Sequence, residues 1–162
     1  MKFLVAGKYR LLIISSVFAL VICLVTLMHY YQYYYQSVIV EGIVDYKAVV
    51  GIKNEVTKMI LMVTPHGIIV KDRDLERHLT GIEEFKLSKV INILDMYYDE
   101  IYCTVSIRTT TGNPLNGLAP GETLAYIIDE KYFDMLKIGA KVKFKIMRLD
   151  PLRISEIIKI KD

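Results

Sequence analysis

The N-terminal part of the chain contains one uninterrupted apolar run. Residues 11–28 read LLIISSVFALVICLVTLM; they include no charged residue, Gly or Pro, and 12 of the 18 are Leu, Ile, Val or Phe. This length meets the threshold for a transmembrane helix. A helix that is apolar on every side is difficult for so small a domain to cover. The run therefore predicts a single membrane-spanning helix rather than a core helix.

The predicted helix continues beyond the apolar run, because no Gly or Pro occurs before Gly42. Its last residues, 29–36, read HYYQYYYQ. Aromatic rings with a polar end are favoured at the headgroup level of a membrane. Helical geometry should distribute these rings around the axis, so we predict an interfacial belt that ends the 11–36 helix. Contact with a partner is the alternative, and redox or metal chemistry is a third. The belt tyrosines are Tyr30, Tyr31, Tyr33, Tyr34 and Tyr35.

After residue 36 the pattern changes to short β-branched or alternating runs, which predict strands. These runs are 38–52 (with Gly42 as a bulge or a bend), 58–64, 67–72, 100–111, 123–129, 141–147 and 153–160. Residues 72–98 have apolar positions at helical spacing, interrupted at Gly81, and 130–139 predict a helical turn. The stretch 86–98 also fits a strand, so the pattern leaves helix and strand open there.

Seven short strands and one interrupted helical insert predict an α+β, mainly β domain. The expected architecture is a small antiparallel β-barrel or sandwich, with an OB-like barrel as the best guess because the insert lies between early and late strands. The predicted organisation has three parts. Residues 1–10 form a basic flank, 11–36 a transmembrane signal-anchor helix with its tyrosine belt, and 37–162 the β-rich domain.

Charge asymmetry across the apolar run predicts the orientation of the chain. Lys2, Lys8 and Arg10 precede the run, whereas Lys47 is the only Lys or Arg in the 20 residues that follow it. The positive-inside rule places the N terminus in the cytoplasm and residues 37–162 outside it. Large residues follow the run where a signal-peptidase site needs small ones, so we predict an uncleaved anchor.

The overall charge does not favour nucleic acid as a partner. The chain has 21 Lys and Arg and 18 Asp and Glu, and all 18 acidic residues lie after position 36. Without the three basic residues of the N-terminal flank, the two signs balance. The electrostatic attraction on which nucleic-acid binding depends is therefore not indicated.

No motif specifies a catalytic, metal or cofactor site. Exported cysteine transpeptidases of the sortase type combine an anchor, a barrel, and His, Cys and Arg. His66, Cys103 and Arg108 occur here in that order, without that family's threonine-rich context or its spacing. Cys103 lies in an apolar strand, where a thiol is usually a small buried hydrophobe.

The chain also resembles the haem chaperones of cytochrome c maturation in its predicted outline. Those proteins have an N-terminal anchor followed by an OB-type exported domain. Their haem-attaching His-x-x-x-Tyr motif lies near the C terminus, whereas the last histidine here is His78. The resemblance therefore implies an architecture and no cofactor.

Two features could engage a partner. Small side chains line one face of the predicted span and would permit close helix approach; they are Ser16, Ala19, Cys23 and Thr26. The Gly- and Pro-rich loop 112–122 is a candidate binding loop, with Asn113, Pro114, Asn116 and Gly117 as its candidate residues.

These observations predict a membrane-anchored, non-enzymatic accessory or assembly subunit of a membrane or envelope complex. The predicted partners are the lipid bilayer and other membrane or envelope proteins, which the β-rich domain would contact. Two alternatives stay open: an anchored carrier or binding module for a small ligand, and an anchored cysteine hydrolase or transpeptidase.

Overall fold

A computed structural model describes residues 2–79 and 85–161. The chain forms two compact units, Met1–Gln36 and Ser37–Asp162. The predicted interruption at Gly81 lies outside the described residues, as do the side chains of the basic flank and of Tyr34.

The N-terminal unit is one helix, α1, which runs from Lys2 to Tyr34. It begins within the basic flank and ends two residues before the predicted end at Gln36. The last helical hydrogen bond joins the Tyr35 N–H to the Tyr31 carbonyl at 3.0 Å. Within α1, Ile14–Tyr33 is long and apolar enough to cross a membrane, and none of this stretch is buried by the rest of the chain. A signal sequence near an N terminus has the same length and composition.

The C-terminal unit is α+β and mainly β, as predicted. Its strands and helices in chain order are β1 (Ser37–Lys53), β2 (Val56–Thr64), β3 (Gly67–Val70), α2 (Arg73–Leu79), α3 (Leu87–Leu94), β4 (Glu100–Thr109), β5 (Thr123–Ile128), α4 (Glu130–Phe133), β6 (Lys141–Met147) and β7 (Asp150–Lys161).

The seven strands form one sheet with ring-like bonding. Their order is β3-β2-β1-β4-β5-β7-β6, and β6 also pairs with β1. Five strands, β1, β4, β5, β7 and β6, therefore close a cycle that we call the strand ring. One pairing departs from the predicted antiparallel sheet: β5 and β7 are parallel and join only at Ile127 and Arg153. Since β6 already occupies the other side of β7, the ring closes through this short parallel contact.

Strand β1 closes the ring because it changes partner along its length. Residues 37–43 pair with β6, residues 42–52 with β4, and residues 47–53 with β2. The register with β4 shifts between Val44 and Tyr46, so the bulge lies at Asp45 and not at the predicted Gly42. Gly42 serves close packing instead, since a Cβ there would lie 2.4 Å from Cγ2 of Ile107.

The ambiguous stretch 86–98 begins as helix α3. Leu87, Val90 and Leu94 are buried at helical spacing. The preceding residue, Lys86, makes no side-chain capping bond. The carboxylate of Asp134 instead accepts hydrogen bonds from the N–H groups of Leu87 (2.7 Å) and Ser88 (3.2 Å). A residue more than 40 positions away thus satisfies the helix start, which local pattern could not indicate.

The core contains side chains from different strands of the strand ring, which contact one another across the interior of the ring. Tyr126 of β5 and Phe144 of β6 are both fully buried. Their rings are 5.1 Å apart in an edge-on arrangement. Strand β7 lies between β5 and β6 in the hydrogen-bonded order, so this contact crosses the ring rather than following the sheet. Aromatic pairs of this kind contribute about 0.5–1.5 kcal/mol beyond their burial.

Candidate functional site

A cavity lined largely by charged side chains lies where β1, β6 and β7 run side by side. Its volume is about 490 Å³, and we call it the lysine cleft. Four lysines, one glutamate and three further residues line it: Lys141, Lys143, Lys159, Lys161, Glu41, Gly42, Thr110 and Val142.

Strand register brings the lysines together in directly opposed pairs. Lys141 lies opposite Lys161, and Lys143 lies opposite Lys159. Alternation along β6 and the short Lys-Ile-Lys run that ends β7 place the four ammonium groups at one cleft. The sequence shows both alternations, but only the register reveals that like charges face one another.

Glu41 partly compensates this charge. It lies opposite Lys143 across β1 and β6, and its carboxylate pairs with the Lys143 ammonium at 2.8 Å. The hydrogen bond and charge of Lys143 lower the pKa of Glu41, and Lys161 adds to the effect. Among the described lining residues, four ammonium groups and one carboxylate leave an excess of three positive charges.

The backbone of Glu41 is held in place from the segment after β4. Its carbonyl accepts hydrogen bonds from the N–H of Thr110 (2.8 Å) and from the Thr110 hydroxyl (3.1 Å). Its own N–H donates to the Thr111 hydroxyl at 3.2 Å. The one carboxylate of the cleft therefore sits on a well-bonded stretch of backbone.

The composition of the lysine cleft determines what it could bind. Its described lining contains no aromatic ring on which a sugar or base could stack. Lysine ammonium groups act as compact point charges that bind phosphate without a fixed planar geometry. The arrangement is suited to anions rather than to stacked ligands.

The predicted binding loop 112–122 uses both of its asparagines internally. Asn113 is fully buried; its Nδ2 donates to the Tyr126 hydroxyl at 2.8 Å, and its Oδ1 accepts from the Leu115 N–H at 3.0 Å. Asn116 donates to the Pro151 carbonyl at 3.0 Å. Pro114 and Gly117 are exposed. Ligand binding by this loop stays a prediction that rests on its exposed tip.

The predicted belt residues whose side chains are described, Tyr30, Tyr31, Tyr33 and Tyr35, are exposed. The rings of Tyr31 and Tyr35 stack with centroids 4.4 Å apart. At 100° per residue, the four tyrosine positions within α1 cover about 160° of its circumference, and His29 and Gln32 occupy the other side. Tyr35 lies just beyond α1, so the distribution of the five belt tyrosines around the axis stays a prediction, as does their place at a membrane interface.

The small residues proposed for helix packing lie on one face of α1. Ser16, Ala19, Cys23 and Thr26 fall within about 80° of arc at helical spacing. All four are exposed in the chain itself. The Thr26 hydroxyl donates back to the Ile22 carbonyl at 2.8 Å, as such residues commonly do within helices. The structure brings these four residues together, and their use as a packing face stays a prediction.

The three residues of the transpeptidase alternative have separate environments. His66 is exposed in the turn between β2 and β3. Arg108 is exposed on β4, and its guanidinium pairs with Asp45 at 3.4 Å. Cys103 is only 2% exposed, and burial, with smaller effects from Glu130 and Asp134, raises its pKa to about 12. A thiol in this state is a poor nucleophile, because the thiolate is the reactive form.

Lys47 is buried, and the sequence did not indicate it as a site residue. Its ammonium donates to the Phe133 carbonyl at 2.6 Å and lies 4.6 Å from the centre of the Phe133 ring. Burial lowers its pKa, and Asp134 opposes that effect. Since Phe133 is the last residue of α4, Lys47 satisfies a helix-end carbonyl, and its role is structural.

Asp72 links the inserted elements between β1 and β4. Its carboxylate accepts hydrogen bonds from Lys58 (2.9 Å), from the Asp74 N–H (2.9 Å) and from the Tyr98 hydroxyl. These bonds, with that of Tyr98 the strongest, lower the pKa of Asp72 to about 2. A smaller cavity of about 250 Å³ adjoins this group. No group of three or more His, Cys, Asp or Glu within the described residues could hold a metal ion.

Comparison of the chain with protein-family models, with curated proteins and with solved structures yields no match in any of the three.

Proposed function

We propose that this chain is a membrane-anchored, non-enzymatic accessory or assembly subunit of a membrane or envelope complex. The observation that carries the proposal is the segment Ile14–Tyr33, an apolar helix of which nothing is buried within the described residues. Apolar surface on this scale requires lipid or protein around it, since water solvates it poorly. The large residues after the apolar run favour a retained anchor over a cleaved signal sequence.

The proposed anchor holds the β-rich unit outside the cytoplasm. Lys2, Lys8 and Arg10 precede the apolar stretch, and the positive-inside rule assigns such a flank to the cytoplasmic side. Tethering to a membrane raises the local concentration of the β-rich unit near other membrane proteins. Weak contacts through the unit and through the small-residue face of α1 can then suffice.

The β-rich unit is proposed to be an OB-like barrel. Within the strand ring, β1, β4 and β5 are antiparallel neighbours in sequence order, and β6 returns to lie beside β1. This is the 4-1-2-3 spatial order of a Greek key. The single bridge between β5 and β7 leaves the ring partly open. An OB-fold is a five-stranded, partly open Greek-key barrel, and in this interpretation the segment from β2 to α3 is an insertion after the first ring strand.

The burial of the Cys103 thiol and its raised pKa argue against a catalytic role for this residue. Its thiol is buried and its pKa is raised, while His66 and Arg108 lie in exposed positions with other surroundings. The chemistry of an anchored cysteine hydrolase or transpeptidase would need a thiolate with an adjacent base. A Cys103→Ala variant with unchanged phenotype would agree with the accessory role.

The direct test is crosslinking of native membranes followed by purification of the full chain in mild detergent. The accessory role predicts that larger membrane proteins co-purify, and that Ala19→Leu or Cys23→Leu weakens their recovery. Val17→Leu and Val21→Leu are matched controls on other faces of α1. Recovery of the chain alone after crosslinking would contradict the proposal. Full recovery with both bulky substitutions would show that the small-residue face contacts lipid.

The orientation can be tested with a membrane-impermeant maleimide on intact cells. Lys71→Cys introduces a thiol at an exposed position of the β-rich unit. The proposed orientation predicts that Lys71→Cys is labelled without permeabilisation, whereas Lys2→Cys is not. The reverse pattern would place the β-rich unit in the cytoplasm.

A carrier function is the second candidate, and the lysine cleft is the observation that favours it. A carrier would retain a small ligand through gentle purification, which native mass spectrometry of the full chain would detect.

A further inference from the structure

We propose that the lysine cleft is a binding site for an anion that carries two or more phosphate groups. This inference does not rest on the accessory role, because it concerns the ligand chemistry of the β-rich unit alone. It is argued from the register of β6 and β7, from the charge balance of the cleft and from its lining.

The arrangement of the lysines costs stability. Two successive outward-facing positions of the β6–β7 pair hold like charges directly opposite each other, Lys141 with Lys161 and Lys143 with Lys159. Like charges at opposed cross-strand positions destabilise a sheet. A neutral or acidic residue at one of these exposed or half-buried positions would remove the repulsion within its own pair without affecting the core. A local arrangement that lowers stability without a packing gain is typical of a functional site.

The charge of the cleft is not balanced by its own residues. Only Glu41 among the described lining residues is acidic, and its carboxylate is committed to Lys143 at 2.8 Å. The remaining excess of three positive charges is larger than a single carboxylate can neutralise. One phosphate group carries up to about two negative charges near neutral pH. An anion with two or more phosphate groups therefore matches the excess better than a monoanion does.

The side chains that line the cleft favour phosphate over other anions. All four cations are lysines, which bind phosphate oxygens as point charges, while planar carboxylates are better matched by arginine. The described lining includes no aromatic side chain, so it offers nothing on which a sugar ring or a nucleobase would stack. A volume of about 490 Å³ is within the range of small-ligand sites. The phosphate groups themselves are thus the recognised feature.

Two sources could supply this chemistry: the headgroup of an anionic phospholipid, or a soluble compound or polymer that carries several phosphates. Both present phosphate oxygens to the same four ammonium groups. An acidic protein segment is a different ligand class, which the lysine-only lining does not favour.

The primary experiment titrates inorganic triphosphate into the full chain in nonionic detergent, with isothermal calorimetry and thermal denaturation as readouts. We expect saturable binding and a higher melting temperature. Raising NaCl from about 0.05 M to about 0.5 M shortens the Debye length about threefold, so binding should weaken strongly. Absence of saturable binding at the lower salt concentration would overturn the proposal.

Charge reversal provides the decisive variant. Lys159→Glu places a carboxylate opposite Lys143 and removes one like-charge pair. The variant should therefore melt at a higher temperature than wild type without ligand, yet bind triphosphate roughly tenfold more weakly. Lys159→Gln should weaken binding roughly two- to fivefold. Gain of stability with loss of binding cannot result from misfolding.

The matched control is Lys71→Glu, which changes the net charge equally at an exposed position outside the cleft. Its affinity for triphosphate should stay within about twofold of wild type, because Lys71 does not line the cleft and salt screens exposed charges. Equal weakening by Lys71→Glu and Lys159→Glu would mean that net charge, and not the cleft, attracts the anion.

Amine-reactive footprinting in nanodiscs separates the two sources. Protection of the cleft lysines in nanodiscs of anionic phospholipid, but not in zwitterionic ones, would support the proposal with a lipid source. Protection by triphosphate in zwitterionic nanodiscs would support it with a soluble source. Tighter binding of a poly-glutamate peptide than of triphosphate, at matched total charge, would overturn the phosphate assignment.

Discussion

Asn113 connects the 112–122 loop to the interior of the strand ring, and its removal should destabilise the β-rich unit. The side chain is fully buried and makes two hydrogen bonds, to the Tyr126 hydroxyl at 2.8 Å and from the Leu115 N–H at 3.0 Å. Each such bond contributes about 1 kcal/mol, and a buried polar group left without its partner costs about 1–3 kcal/mol. Burial raises the pKa of Tyr126 and both asparagines oppose that shift, so Asn116 would still stabilise the Tyr126 hydroxyl in part without Asn113. We therefore expect Asn113→Ala to lower the unfolding free energy by about 2–3 kcal/mol.

The assay is urea denaturation of the full chain in nonionic detergent, monitored by near-UV circular dichroism. The 12 tyrosines of this chain, which contains no Trp, provide the signal. Pro114→Ala is the matched control in the same loop; it is exposed and should change stability by less than about 0.5 kcal/mol. Tyr126→Phe removes the other partner of the bond. The double variant should be less destabilised than the sum of the single variants, by about 1 kcal/mol.

Two results would refute this reasoning. Asn113→Ala with near wild-type stability would mean that the loop is not held by its buried amide. Strict additivity with Tyr126→Phe would mean that the two side chains do not interact. In either case the interpretation of Asn113 as an exposed binding residue would regain support over the structural one.

Three further predictions concern the core and the insert. Gly51→Ala should cost about 1–3 kcal/mol in unfolding free energy, because a Cβ at this position would lie 2.4 Å from the Tyr98 ring; unchanged denaturation curves would contradict this packing. The pKa of Asp72 is lowered to about 2, so its stabilising contribution should be complete above about pH 4 and lost as the pH falls toward 2. Acid titrations of stability should therefore be flatter for Asp72→Asn, and identical profiles would exclude this role. Cys103 should react with N-ethylmaleimide at least about 100-fold more slowly in the native Cys23→Ala chain than in urea, because its thiol is buried and its pKa is raised to about 12; rapid native labelling would show an accessible thiolate.

Most of the secondary structure could be predicted from local pattern. All seven strands occur where alternation or β-branched runs predicted them, because these patterns report burial of one or both faces directly. The ends of elements were less accurate. Helix α1 stops at Tyr34 rather than Gln36, since the chain from Ser37 onward pairs with β6, and that pairing is not encoded near residue 36. The start of α3 depends on Asp134, which is distant in sequence.

The candidate site was harder to predict than the fold. The sequence drew attention to the tyrosine run and to the asparagines of the 112–122 loop, because unusual composition is visible locally. The structure assigns Asn113 and Asn116 to internal hydrogen bonds. The lysine cleft had only a weak local signal, the alternating lysines of β6 and the Lys-Ile-Lys run of β7.

The physical reason for this division is the range of the interactions involved. An apolar run of 18 residues between a basic flank and a tyrosine cluster indicates a membrane helix from composition alone, since lipid, not tertiary packing, would satisfy it. The lysine cleft depends instead on which residues of β1, β6 and β7 lie opposite one another. A register shift of one residue would turn Lys159 and Lys161 to the other face of the sheet and remove the cleft. Register is set by the long β1, its bulge at Asp45 and the bulges of β7, and these are properties of the assembled sheet.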